Sequence, residues 1–137
     1  MVSVSEGFKV VTSHPGFTNF VIYCLGFVLF GAILIGLGPF IPYLSERSGI
    51  IETEYSILFF GRAIGFTVGA LSVRFVEKSF TYHKLLGIGY LLAGLFTILF
   101  NFTTNIKTDV ALLFIAGVGY CYIDLFANVA TIETFKG

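Results

Sequence analysis

The sequence predicts an all-α membrane protein of four antiparallel transmembrane helices. Three observations carry this expectation: an apolar composition, four apolar runs of spanning length, and short polar connections between them. Apolar residues make up 56% of the chain and charged residues 12%, with a mean hydropathy of +0.93. A soluble domain of this size needs more charge to cover its surface, so a lipid bilayer is the expected solvent and partner. A formal net charge of zero argues against nucleic acid as a partner. Cys24 and Cys121 fall in apolar runs without disulfide or metal-ligand spacing, which predicts two free buried thiols.

A spanning helix needs roughly 20 mostly apolar residues, and four stretches qualify: 17–44, 55–75, 85–102 and 110–132. They form one transmembrane region, 17–137, behind an N-terminal segment, 1–16. The first run is too long for the core of a cleavable signal peptide. Pro39 and Pro42 should bend or loosen its last turns. A polar connection with Glu46, Arg47, Glu52 and Glu54 follows. A basic turn with Arg74, Lys78, His83 and Lys84 joins the second and third runs, and residues 101–109 make a polar loop before the fourth. Connections this short impose an up-down-up-down order.

Cations set the expected orientation. Lys9, Arg74, Lys78, Lys84 and Lys136 share one side, against Arg47 and Lys107 on the other. The positive-inside rule then places the N-terminus and the basic turn in the cytoplasm. His14 and His83 fall on that side, where solvated surface is their expected role. Asn101-Phe102-Thr103 has the glycosylation pattern but abuts the membrane, so it reads as a chance match.

Lipid gives helices no hydrophobic reason to associate, so small residues must let backbones approach. Gly61, Gly65 and Gly69 recur every four residues in the second run, with Gly117 and Gly119 in the fourth. They predict packing seams. Asp124 lies about 14 residues into the fourth run, roughly 21 Å along it. A charge at mid-membrane is expensive and persists where it faces a partner or a wet cavity. Gly117, Cys121, Asp124, Asn128 and Thr131 recur at three- and four-residue steps as one small or polar stripe. Asn128 would share a ligand with Asp124 or hold its carboxylate; the alternative is a structural hydrogen-bond network. Arg62, roughly 10 Å into the second run, either lines a cavity or snorkels toward Glu52 and Glu54. A direct bridge from Arg62 to Asp124 would be strained by their difference in depth. A carboxylate in a low dielectric can take up a proton or coordinate sodium, and either would couple an ion gradient to solute movement. No other cofactor is implied.

Three segments together resemble a known family. They are Gly38-Pro39-Phe40-Ile41-Pro42-Tyr43-Leu44, then Phe59-Phe60-Gly61-Arg62-Ala63-Ile64-Gly65 leading to Gly69, and Gly117-Val118-Gly119-Tyr120-Cys121-Tyr122-Ile123-Asp124 followed by Asn128. In order and placement they are similar to the sodium-dependent glucose transporter-like branch of the major facilitator superfamily, and more distantly to fucose–proton symporters. The resemblance implies the first part of a twelve-helix fold whose first and fourth helices line a central cavity. Asp124 and Asn128 would then face solute, a sugar or similar small molecule, or a coupling ion. It also implies a motif between the second and third helices. Gly69 and Arg74 fit that motif, whereas Val73 stands where an acid is expected.

This reading makes the chain the N-terminal part of a symporter that lacks its C-terminal helices and cannot alternate access alone. The rival is a self-contained four-span scaffold or adaptor. A tetraspanin is disfavoured by short loops without cysteine. A membrane enzyme is disfavoured because no histidine falls in a span.

Overall fold

The computed structural model describes residue 12 and residues 16–134, all of whose regular structure is helical. Four helices follow in order: α1 (Phe17–Ser48), α2 (Ser56–Val76), α3 (Tyr82–Phe100) and α4 (Ile106–Thr134). Each is long and apolar enough to cross a membrane, and the chain reads as an integral multi-pass membrane protein. Lys9, His14 and Lys136 lie outside the described residues.

The expected spans hold with shifted ends. Pro39 and Pro42 do not end α1, which continues to Ser48 and stops at Gly49. Gly49 takes a left-handed conformation (φ 71°), and its N–H donates to the Ser45 carbonyl at 2.9 Å. A residue with a Cβ would be strained there. α3 starts at Tyr82 rather than 85, so His83 and Lys84 belong to its first turn and not to a loop. Its N-cap residue, Thr81, makes no side-chain cap. α4 starts at Ile106 because Asn105 caps it, its Oδ1 accepting from the Lys107 N–H at 3.0 Å. Asp109, expected in a polar loop, is in the first turn of α4 and only 2% exposed. The Thr103 hydroxyl donates to its carboxylate, and its negative charge suits the helix N-terminus.

α4 is the centre of the bundle. α2 and α3 pack extensively on it, and α1 more lightly. α2 and α3 are joined by the short turn 77–81, yet they seat on α4 rather than on each other. α4 is accordingly buried nearly all round from Ala116 to Ile123. α2 runs parallel to α4, since Gly61 meets Val110, Gly65 meets Phe114 and Gly69 meets Val118 and Cys121. α3 runs antiparallel, with Gly89 beside Tyr122 and Ile123, and Ala93 beside Gly119.

The glycine seams are sites of backbone contact. A Cβ on Gly65 would run into the carbonyl of Phe114, and one on Gly117 into the carbonyl of Arg62. On the opposite face of α4, a Cβ on Gly119 would lie 2.6 Å from the Ala93 nitrogen and 2.8 Å from the Gly89 oxygen. Gly117 and Gly119 thus serve different neighbours. Hydrogen bonds pin the same interfaces: Tyr120 with Thr97 at 2.7 Å and Tyr122 with Ser72 at 2.8 Å, hydroxyl to hydroxyl.

α1 is the outlying helix. Its Leu44 joins Tyr55, Leu58, Phe100 and Leu113 in one apolar cluster, and Phe30 packs on a second cluster around Tyr120. Most of its large side chains face outward, Ile35 and Val28 among them, where acyl chains suit them as well as protein does. Cys121 is buried as expected, but Cys24 sits on this outward surface, which corrects the reading of two buried thiols.

Three expectations follow. Gly65→Val should lower the stability of the purified chain by about 2 kcal/mol, because backbone must move to admit the side chain. Gly87→Val, where no atom lies within 4 Å of an added Cβ, should leave the melting temperature in detergent nearly unchanged. In a double-mutant cycle, Thr97→Val and Tyr120→Phe should show a coupling of about 1 kcal/mol, read from the same melting curves.

Candidate functional site

Because α1 touches α4 lightly, a cleft remains on each side of it. One, of about 350 Å³, lies toward α3 and is bounded by Gly36, Leu37, Phe40, Phe100 and Leu113. The other, of about 520 Å³, lies toward α2 and is bounded by Phe30, Leu34, Phe59, Phe66 and Asp124. Arg62 and Tyr120 border both. Both volumes fall in the range of small-molecule sites, roughly 300–1,000 Å³.

Arg62 reaches from α2 to α1, where its Nη1 donates to the Leu34 carbonyl at 2.9 Å. Its guanidinium also lies 5.3 Å from the centre of the Phe59 ring, within cation–π range. Of the two expectations for Arg62, it lines the cavity and does not snorkel toward Glu52 and Glu54. The helical path of α2 explains this: Arg62 is on the face whose neighbours Gly61 and Gly65 are pressed against α4, so its side chain emerges into the cleft.

Asp124 is half-buried on the wall of the larger cleft. Its carboxylate forms no hydrogen bond or ion pair with any described residue. Arg62 borders the same space and reaches the α1 carbonyl instead; no ion pair joins the two charges. Asn128 is exposed, and its amide donates to the backbone carbonyl of Asp124 at 2.7 Å. It therefore does not hold the Asp124 carboxylate. An asparagine one turn along a helix satisfies itself on the i−4 carbonyl when nothing else competes.

The expected polar stripe on α4 divides accordingly. Gly117 and Cys121 face α2, with the Cys121 Cβ 2.8 Å from where a Cβ on Gly69 would stand. Asp124 faces the cleft, and Thr131 bonds back to the Ala127 carbonyl at 2.8 Å. Arg74, in the last turn of α2, is exposed and lines neither cleft. Val73 lies against the core cluster around Tyr122 and Phe126.

Tyr120 is the site residue that spacing alone did not single out. It joins the aromatic wall through Phe30, ring centres 5.6 Å apart, while its hydroxyl is held by Thr97. Ser72, Thr97, Tyr120 and Tyr122 are polar groups inside apolar spans, and pairing them across helices was the available signal. Among the described residues no cluster of metal-ligating side chains occurs. No protein-family model, curated protein or solved structure matches the chain.

Proposed function

We propose that the chain is the N-terminal part of a secondary active transporter of the major facilitator superfamily, which moves a sugar or similar small solute by ion-coupled alternating access. One observation carries the reading most: a carboxylate, Asp124, with no partner among the described residues, on the wall of a cleft beside a helix long and apolar enough to span a membrane. Such a group is costly in lipid and marks ion or solute pathways. The residue pattern of the three resembling segments supplies the family. Phe30, Phe59, Phe66 and Tyr120 offer apolar ring faces around Arg62, Asp124 and Thr67, a few directed polar groups among aromatics, as small-solute sites require.

In this reading Asp124 takes up the coupling proton or coordinates sodium. Arg62 holds α1 while the cleft is empty of solute. The lightly packed α1 is the wall that shifts as access alternates, and the α2–α4–α3 unit is the rigid body it shifts against. The second half of the cavity comes from the helices of the complete transporter.

Asp124→Asn keeps the shape and removes the charge. In the complete transporter it should abolish ion-driven accumulation of solute while leaving solute exchange, measured as counterflow in proteoliposomes, within a few-fold of the parent. Unchanged accumulation would remove Asp124 from the coupling step, whereas no accumulation by the parent itself would favour a four-span scaffold without transport.

A further inference from the structure

The end of the bundle formed by the α2–α3 turn carries a surface that the transport reading does not use. Arg74 closes α2, Lys78 sits in the turn, and His83 and Lys84 lie in the first turn of α3; all four are exposed. Glu77 is the carboxylate within this stretch. The side chains of Arg74, Lys78 and Lys84 form no ion pair or hydrogen bond with any described residue. Three cations against one carboxylate leave this short segment net positive, so it attracts anions.

The apolar neighbours of these cations fix where those anions must be. Phe75 is 75% exposed and Phe80 is 48% exposed, on either side of Lys78 in the chain. Rings this exposed are unfavourable in water and belong at the boundary between acyl chains and headgroups. That depth puts the intervening ammonium groups at the level of the lipid phosphates. A free phosphate ion would neutralise the cations but leave the rings unaccounted for.

The opposite end of the bundle differs. There Arg47 donates to the Asn101 carbonyl at 2.9 Å, and Lys107 borders a cleft with Glu54. Glu46 and Glu52 are close by in the chain.

We infer that the segment Arg74–Lys84 is a binding surface for anionic phospholipid headgroups, with Phe75 and Phe80 seated among the acyl chains beside them. Each cation near an anionic lipid surface changes affinity by about fivefold. The full chain, purified in neutral detergent, can be titrated with phosphatidylglycerol or phosphatidylcholine and the bound lipids counted by native mass spectrometry. Phosphatidylglycerol should be retained preferentially. The preference should fall about twentyfold in Lys78→Gln/Lys84→Gln and about fivefold in Arg74→Gln, and stay unchanged in Lys107→Gln. Equal retention of the two lipids, or an undiminished preference in the double variant, would overturn the assignment. So would displacement of the bound lipid by millimolar inorganic phosphate, which would mark a site for free anions.

Discussion

The bundle depends on the closeness of α4 to two neighbours at once. Gly65 and Gly117 let α2 and α4 touch backbone to backbone, and Gly89 and Gly119 do the same for α3 and α4. In water such contacts would be supplemented by burial of apolar surface. In lipid that drive is absent, and dispersion and polar contacts at short range must serve instead. Close approach is therefore the source of cohesion, and the hydroxyl pairs Tyr120–Thr97 and Tyr122–Ser72 become accessible because the helices are already near. The cleft-facing carboxylate of Asp124 is a by-product of the same geometry, since a helix packed on two sides has a third left open.

Much of this was legible in the residues. The four apolar helices and the glycine seam of α2 follow from hydropathy and spacing, because lipid imposes a length and a polarity that the sequence must meet. The ends were less legible. Asp109 closes the polar run 101–109 and so read as loop, but Thr103 bonds it and Asn105 caps the helix before it. Local hydrogen bonds of this kind start a helix inside a stretch that hydropathy alone reads as a connection. That Asn128 does not hold the Asp124 carboxylate was hidden for a related reason, as the nearest acceptor was its own helix.

Which helix occupies the centre was not legible at all from hydropathy. α1 and α4 are both apolar enough to span a membrane, yet one is peripheral and the other enclosed. Lipid and protein interior are nearly the same solvent to a leucine, so apolarity cannot separate them. Glycines can, but only through their surroundings: those at 117 and 119 are crowded by neighbouring backbone, whereas Gly31, Gly36 and Gly38 of α1 meet no atom within 4 Å. The cleft that holds Asp124 is a consequence of that difference.

Four tethers of α1 share a chemical peculiarity. Arg62 bonds the carbonyl of Leu34, Tyr55 bonds that of Leu44 at 3.3 Å, and from α1 itself Arg47 and Ser45 reach the carbonyls of Asn101 and Ile50. These four acceptors are main chain, which no substitution short of a change in backbone path removes; side-chain contacts of Tyr55 with Ser48 and of Tyr23 with His83 add to them. The lipid-facing side chains of α1 are thereby released from the task of holding the helix in place. They can drift to match bilayers of different thickness or fluidity while the seat of the helix is preserved, so the most variable surface of the protein can be the one that borders its most sensitive cleft.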